Sequence, residues 1–301
     1  MSDSDSYRIV SAEITVLVDD YSGFTRLLAE HGFSALVSIL YSDGTVFRVL
    51  LDSGSSGSVL IKNASSLGVS LESVDVIALS HRHYDHSGGL SKLIATVGSK
   101  PVIAHPDVLR PCYSKSRGFT RFDVGMPPAV KRSLQRLELV LTKKPTELAP
   151  GVWFLGEVDR YYDSNYAIKN FRTTSGEAIV DELLLDDTAI AVSLGEKAIV
   201  IAGCSHSGIA NIVRQAKRLT GAREIVVLGG FHLMSADSET ISRVVEELVH
   251  EGIVDVYAGH CTGLRGEARL LERFGDRMTK IHSGYRLRIE QPMESQLLRG
   301  S

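Results

Sequence analysis

The order of apolar and polar residues in the first hundred positions predicts strands joined by turns and helices. Residues 12–18 alternate between the two classes, as expected for a strand with one face in a core. Ser42-Asp43-Gly44 has turn composition, and the helical run that ends at Leu67 is followed by Gly68. The predicted strands are 12–18, 34–41, 46–51, 74–79 and 101–104, and the predicted helices are 59–67 and 90–97.

The same pattern of apolar and polar residues returns after residue 150. Ile209, Ile212 and Val213 lie on one face of a predicted amphipathic helix. The predicted strands are 152–155, 188–194, 197–202, 224–228 and 254–258, and the predicted helices are 209–219 and 238–250. Strands that alternate with helices predict an α/β fold. We expect a single domain over 1–301 with two similar halves, at about 10–105 and 150–290.

Four polar side chains with metal-binding chemistry follow the predicted strand 74–79. They are His81, His83, Asp85 and His86. Gly88-Gly89 then marks a turn, so these groups are expected on a loop at a strand end, where functional residues tend to lie. Imidazole nitrogen and carboxylate oxygen suit zinc and related metals, and four such groups are more than one open catalytic ion needs. The segment therefore predicts a site for two ions.

Three more predicted strands end in glycine followed, within three residues, by a histidine. These histidines are His206, His232 and His260. In α/β folds, ligands gather at the carboxyl ends of strands. We therefore expect all three histidines at the same sheet edge as the loop that starts at His81.

The chain has three cysteines, Cys112, Cys204 and Cys261. An odd, widely spaced set argues against a disulfide framework and fits a reducing cytoplasm, which we expect as the location. Two of them stand beside histidines, in Cys204-Ser205-His206 and His260-Cys261. This placement suggests site chemistry, although a packed apolar thiol is the other interpretation for Cys261.

Composition excludes some partners. The formal net charge of the 301 residues is −3, which gives no reason to expect nucleic-acid or membrane binding. Apolar stretches fall short of a membrane span, and the polar start Met1-Ser2-Asp3-Ser4 is unlike a secretory signal. We expect a small anionic molecule as the partner, and a homodimer stays open.

A basic segment at about 108–137 interrupts the regular pattern. Its cations are Arg110, Lys115, Arg117, Arg121, Lys131, Arg132 and Arg136, against the single acid Asp123. Prolines and glycines break any long periodicity here. Two interpretations stay open, a lid that meets an anionic substrate and a solvated surface loop.

A predicted strand is followed by Asp52-Ser53-Gly54, a helix, a second strand and the motif His81-Arg82-His83-Tyr84-Asp85-His86, and single histidines come later. This succession resembles the metallo-β-lactamase superfamily. The resemblance extends over roughly residues 10–290. It implies a four-layer αββα sandwich with a metal site along one edge. Further motifs are similar to a narrower branch, named after a dihydropterin ribofuranosylaminobenzene 5′-phosphate synthase of methanopterin assembly. They are Val18-Asp19-Asp20, Ala29-Glu30-His31-Gly32-Phe33-Ser34, Gly203-Cys204-Ser205-His206-Ser207-Gly208-Ile209, Gly229-Gly230-Phe231-His232-Leu233 and Gly259-His260-Cys261-Thr262-Gly263.

The resemblance also implies a ligand set for two divalent ions, zinc foremost, with manganese, iron or magnesium as alternatives. His81 and His83 would hold the first ion, completed by a histidine after strand 197–202, for which we favour His206. Asp85 and His86 would hold the second, completed by His260. Asp52 would orient a ligand histidine.

The sequence departs from the wider superfamily where many members have a bridging aspartate. Cys204 follows Gly203 there, so either the Cys204 thiolate or His206 replaces the bridge, or the ions are held more loosely. A third-histidine motif is absent between 151 and 188, and Asp186 or Asp187 offers a carboxylate in that region.

The resemblance implies a metal-dependent hydrolase whose metal-bound hydroxide attacks a small anionic ester or phosphate-containing metabolite. Asp85 would ligate and orient the nucleophile, and His232 would contact substrate or donate a proton. Guanidinium groups would bind the anion; the candidates are Arg117, Arg121 and Arg160. The alternative is the branch's transferase reaction, for which a flat pterin pocket could be built from Phe119, Phe122, Tyr161, Tyr162 and Tyr166. A metal or ligand sensor without catalysis is a third interpretation.

Overall fold

The computed structural model describes residues 8–23, 26–115 and 122–291. The described strands form two sheets of seven strands and one of four. The first sheet contains β1 (Ile9–Val18), β2 (Ser34–Tyr41), β3 (Val46–Leu51), β4 (Val76–Ala78), β5 (Val102–Ala104), β8 (Leu139–Leu141) and β18 (Arg286–Glu290), in the spatial order β18-β1-β2-β3-β4-β5-β8.

The second sheet contains β9 (Thr146–Ala149), β10 (Val152–Phe154), β13 (Ala189–Leu194), β14 (Lys197–Ala202), β15 (Glu224–Gly229), β16 (Ile253–Ala258) and β17 (Met278–Lys280), in the order β17-β16-β15-β14-β13-β10-β9. The small sheet contains β6 (Tyr113–Ser114), β7 (Phe122–Asp123), β11 (Phe171–Ser175) and β12 (Ala178–Asp181), in the order β12-β11-β6-β7. The helices are α1 (Ser58–Leu67), α2 (Tyr84–Ser87), α3 (Leu90–Val97), α4 (Pro128–Leu134), α5 (Asn165–Ile168), α6 (Ile209–Thr220), α7 (Ser238–His250) and α8 (Gly263–Phe274).

Strand β14 shows why the two large sheets stack. Side chains alternate across a strand, so its apolar run points to both sides. Ile199 and Ile201 pack between the two sheets, whereas Ala198 and Val200 pack under the helices of the second half. All four are fully buried, which explains why the strand is apolar from Ala198 to Ala202.

Helices cover the outer face of each large sheet. On the first sheet, Leu60 of α1, Leu93 of α3 and Val130 of α4 belong to one buried cluster. On the second, residues of α6, α7 and α8 pack together in another. The order helix, sheet, sheet, helix confirms the predicted four-layer αββα architecture. None of the helices in the described parts of the chain is long and apolar enough to cross a bilayer.

Most predicted elements are present with small shifts of their ends. The strand predicted over 74–79 is shorter, because Val74 closes a 3₁₀ turn and only Val76–Ala78 pair as a strand. Strand β18 pairs with β1, so the first sheet includes a strand from the second of the two predicted halves. That the chain is a single domain stays a prediction.

The basic segment at 108–137 is more regular than predicted. It contains β6, β7 and α4, and Val130 and Leu134 of α4 are buried against the first sheet. It is therefore part of the packed structure and not a solvated loop throughout. Arg117 and Arg121 lie outside the described residues.

The parallel strands bring the candidate residues to one edge of the sheets. Strands β3, β4 and β5 run parallel, as do β14, β15 and β16. The carboxyl ends of β3, β4, β14, β15 and β16 are followed, in that order, by Asp52, the loop from Ser80, Cys204, His232 and His260. Loops after parallel strands share one edge of a sheet.

Candidate metal centre

The loop that carries His81 to His86 is held against the loop after β3. His83 is the residue before the short helix α2, and Gly88 follows that helix. A Cβ atom on Gly88 would lie 2.3 Å from the Ser55 carbonyl oxygen, and one on Gly89 would lie 2.1 Å from the Ser53 oxygen. Both positions therefore require glycine because the two loops approach so closely.

Three histidines form what we call the first group: His81, His83 and His206. His81 Nε2 lies 3.1 Å from His83 Nδ1, and the His206 ring centroid lies 4.8 Å from each of the other two. Burial lowers the pKa of His83 to about 3 and holds the pKa values of His81 and His206 well below their usual range. The three rings are neutral, with nitrogen lone pairs available inside the group.

The second group contains Asp85, His86 and His260. His86 Nε2 lies 3.2 Å from His260 Nε2, and Asp85 Oδ2 lies 3.4 Å and 3.5 Å from these two nitrogens. Burial lowers the pKa of His86, but the Asp85 and Asp52 carboxylates outweigh it and raise that pKa to about 9. The second group therefore differs from the first in charge.

Cys204 lies between the two groups. Its Sγ is 3.1 Å from His86 Nε2 and 3.2 Å from His260 Nε2. It also lies within 4.8 Å of the ligand nitrogens of His206 and His232. The thiol is thus placed where a bridging ligand would stand, and burial raises its pKa in the absence of a cation.

Carboxylates fix the orientation of the second group. Asp52 Oδ2 accepts a hydrogen bond of 2.7 Å from His86 Nδ1, and Asp20 Oδ1 accepts one of 2.7 Å from His260 Nδ1. With both Nδ1 atoms protonated, the two Nε2 atoms present lone pairs to each other at 3.2 Å. Two lone pairs at this distance repel each other, so a proton or a cation between them stabilises the arrangement.

The donor set therefore fits divalent metal ions. His206 Nε2 is buried and has no hydrogen-bond partner among the described residues, as expected for a nitrogen reserved for a metal. Nitrogen, oxygen and sulfur donors together suit zinc and neighbouring first-row metals. Residues of both groups are near or below a tenth exposed, so bound ions would be largely shielded from water.

Asp52 also reaches the first group through Ser80. The Ser80 hydroxyl donates a hydrogen bond of 2.6 Å to Asp52 Oδ2 and accepts one of 2.9 Å from His81 Nδ1. The structure thus places Asp52 behind two candidate ligands, where sequence reasoning assigned it to one.

Non-glycine residues with positive φ surround the centre. They are Asp52 (φ 59°), Ser205 (φ 61°), His232 (φ 49°) and His260 (φ 46°), joined by Leu184 (φ 49°). Such angles strain an L-residue and are found mainly where function requires them.

A cavity of about 160 Å³ opens beside the centre. Its lining combines candidate ligands with residues from other elements: His31, His83, Tyr84, Asp85, Ser114, Val124, Phe171, Cys204, His232, Met234, His260 and Cys261. His232 stacks against His206 at 4.2 Å between ring centroids, and its buried Nδ1 lacks a hydrogen-bond partner in the described part of the chain. A substrate in this cavity would meet both groups.

The two other candidate carboxylates, Asp186 and Asp187, make contacts outside the two groups. Asp186 Oδ1 pairs with the fully buried Arg82 at 2.8 Å, and Asp187 Oδ2 accepts a hydrogen bond from Ser207 N at 2.7 Å. Neither belongs to the groups of possible ligands found among the described residues. Asp187 Oδ1 is buried and has no hydrogen-bond partner among the described residues. A ligand role for either carboxylate stays a prediction.

Arg160 donates to the main-chain oxygens of Leu183 and Leu184 and lines a different cavity. Tyr161 also lines that cavity, Tyr162 bonds to Glu251, and Tyr166 is buried in the core of the second half. Phe119 lies outside the described residues, and only the backbone of Phe122 is described. The predicted roles of these residues in binding stay predictions.

Sequence reasoning assigned no role to Asp20, His31 or Phe171. Asp20 and His31 stand in the motifs Val18-Asp19-Asp20 and Ala29-Glu30-His31, so a signal was present. Phe171, 4.7 Å from the His83 ring, stands in a segment without a motif.

The chain belongs to the metallo-β-lactamase superfamily, whose family model matches residues 32–210. It is 28% identical to the 7,8-dihydropterin-6-methyl-4-(β-D-ribofuranosyl)-aminobenzene-5′-phosphate synthase of Methanocaldococcus jannaschii, over 92% of this chain and 96% of the relative. It is 32% identical to the uncharacterized protein MJ0448 of the same organism, over 85% and 93%. The crystal structure of Tm1679, a metal-dependent hydrolase of the β-lactamase superfamily, is similar with a TM-score of 0.78 and 28% identity, over 93% and 99%. The predicted resemblance is confirmed.

Proposed function

We propose that the protein is a metal-dependent hydrolase of small anionic esters or phosphate-containing metabolites. The observation that carries this proposal is the pair of adjacent ligand groups, with Cys204 between them, beside a cavity. The superfamily and the synthase relative support an enzyme, and Tm1679 supports hydrolysis in particular.

In this proposal His81, His83 and His206 hold one ion, and Asp85, His86 and His260 hold another. Cys204, which lies between the two groups, would be available as a ligand to either ion. When bound, divalent ions here supply Lewis-acid catalysis and an activated water. The surrounding side chains position the ligands and exclude solvent.

Asp85 and His232 act on the attacking water and on the leaving group. Asp85 lies in the cavity wall and orients the attacking water by accepting its hydrogen bond. His232 delivers a proton to the leaving group, because its ring stands in the same wall and its Nδ1 is not engaged by any described residue. His232→Ala should lower turnover most for substrates with poor leaving groups. Equal turnover on every substrate would remove His232 from the mechanism.

Binding of the negative charge of the substrate is assigned to the basic segment at 108–137. Ser114 and Val124, the described residues that flank 116–121 most closely in the cavity wall, connect this segment to the centre. Arg117→Glu and Arg121→Glu should raise KM for anionic substrates and leave KM for neutral esters unchanged. Equal changes for both substrate classes would refute the assignment.

The second candidate is a transferase like the synthase relative, and the identity of 28% over 92% of the chain favours it. An aromatic wall is present in the cavity, where Phe171 stands beside His83. Release of pyrophosphate from a dihydropterin diphosphate only when a ribosylated aminobenzene is present would establish transfer. Release in water alone would establish hydrolysis.

Metal content per chain tests both candidates at once. We expect two equivalents by mass spectrometry in the protein reconstituted with zinc or manganese, and one or none in His83→Ala. The exposed His250→Ala is the matched control. No bound metal after reconstitution would refute the proposal, and saturating metal without turnover on esters, phosphoesters or pterins would favour a sensor.

A further inference from the structure

The candidate ligand histidines share one feature, a hydrogen-bond partner on the ring nitrogen that faces away from the group. Four of the partners are oxygen atoms: Asp52 Oδ2 for His86, Asp20 Oδ1 for His260, Ser80 Oγ for His81 and the Ala167 carbonyl for His206. Such partners fix the tautomer and the ring orientation of a metal ligand.

His83 completes the pattern with a sulfur atom. Its Nδ1 faces His81 Nε2 at 3.1 Å, so Nδ1 points into the first group. Its Nε2 points away and lies 3.3 Å from Cys112 Sγ. The Cys112 side chain is fully buried, which excludes water as a competing partner.

The backbone holds these two side chains together. Val124 N donates a hydrogen bond of 2.8 Å to the Cys112 oxygen, and the Val124 oxygen accepts one of 3.0 Å from Tyr84 N. Val124 therefore fixes both Cys112 and the residue that follows His83. Cys112 also packs with Ile168 and Leu184 in a small buried cluster.

We propose that Cys112 is a positioning residue for His83, accepting the Nε2 hydrogen so that Nδ1 is free for a metal ion. The inference rests on the proposed function, because it assigns a metal to the first group. It also gives the basic segment 108–137 a role in building the centre. Burial raises the pKa of the Cys112 thiol to about 12, so the acceptor is uncharged.

The test compares Cys112→Ala, which removes the acceptor, with Cys112→Ser, which restores one. Ile168→Val is the packing control, since it removes a methylene from the same cluster and leaves Cys112 in place. Zinc affinity is measured by competition with a chromogenic chelator. We expect about tenfold weaker binding of one equivalent in Cys112→Ala, partial recovery in Cys112→Ser and unchanged binding in Ile168→Val.

A second readout is independent of activity. Two-bond ¹H–¹⁵N spectra of histidine-labelled protein, with and without zinc, report which ring nitrogen of His83 carries hydrogen. We expect Nε2–H in both states, and faster exchange of that proton in Cys112→Ala. Nδ1–H, or equal zinc affinity in Cys112→Ala and Ile168→Val, would overturn the inference alone. Wild-type protein that binds no zinc would overturn the proposed function, and this inference with it.

Discussion

The two groups of candidate ligands stand at the same edge of the two stacked sheets but are built from different chemistry. The first group consists of three imidazoles whose outer partners are uncharged: a hydroxyl, a thiol and a carbonyl. The second group contains the Asp85 carboxylate, and its imidazoles are held by the carboxylates of Asp52 and Asp20. The second group is therefore the more negative surrounding for a cation.

This difference decides what an incoming ion meets. Burial lowers the pKa of His83 to about 3, so the first group offers free lone pairs at neutral pH. The Asp85 and Asp52 carboxylates raise the pKa of His86 to about 9 against the effect of burial. A metal must therefore displace a proton at the second group, and we expect the two groups to load differently.

The largest effect is expected from Cys204→Ala, because Cys204 contacts both groups. Metal content should fall from two equivalents toward one. Turnover should drop by about 10³-fold, which corresponds to about 4 kcal/mol of lost transition-state stabilisation. Cys204→Asp should recover much of both quantities, since a carboxylate can take the same position. Full metal content and turnover in the alanine variant would show that Cys204 is a packed thiol.

The next largest effect separates the two carboxylates. Asp20→Asn should weaken binding at the second group by roughly 10–100-fold and leave the first group unchanged. Asp52→Asn should weaken both, because Asp52 contacts His86 directly and His81 through Ser80. Isothermal titration calorimetry resolves the two binding steps, with the exposed Asp43→Asn as control. Identical profiles for the two variants would contradict the comparison.

The pH dependence of metal affinity should also distinguish the groups. His86 has a raised pKa, so it is protonated in the metal-free protein below about 9. Affinity at the second group should therefore fall as pH falls through that value, about tenfold per unit for each proton displaced. Affinity at the first group should stay constant between pH 8 and 6. Calorimetry in buffers of different ionisation enthalpy counts the protons released, and equal proton release at both steps would contradict the assignment.

The smallest effect is expected from Ser80→Ala. It removes the two hydrogen bonds of the Ser80 hydroxyl, one to Asp52 and one from His81, and leaves the bond from His86 to Asp52 in place. A net loss of about 0.5–1.5 kcal/mol corresponds to roughly two- to thirteenfold weaker binding at the first group. An effect confined to the second group would refute the relay through Ser80.

Local patterns were sufficient to predict much of the fold. Strand β14 is apolar after Lys197 because both faces are buried, and α6 is amphipathic because one face packs on the sheet. The small sheet was not predicted, since β6 and β7 have two residues each and show no periodicity. In the exposed strand β12 the burial pattern is also uniform, so alternation is absent.

Contacts between distant residues were the part of the centre that the sequence could not predict. Asp20 and His260 are 240 positions apart, and the stacking of the two large sheets brings Asp20 Oδ1 within 2.7 Å of His260 Nδ1. Cys112 and His83 meet because a two-residue strand and the turn after it place Val124 between their backbones. The loop from His81 to His86 could be predicted as a metal site because its candidate ligands lie within six consecutive residues.

The strained backbone around the centre bears on how this protein can change. At Asp52, Ser205, His232 and His260, glycine would relieve an unfavourable φ of roughly 1 kcal/mol each. At three of these positions the same exchange deletes a side chain with a role in the centre. The exchange would also leave buried partners without their hydrogen bonds, as at Asp52, which accepts from Ser80 and His86, and at Ser205, which donates to the Gly230 oxygen. Each such loss costs about 1–3 kcal/mol, so the contacts that orient the centre also keep its strained backbone in place.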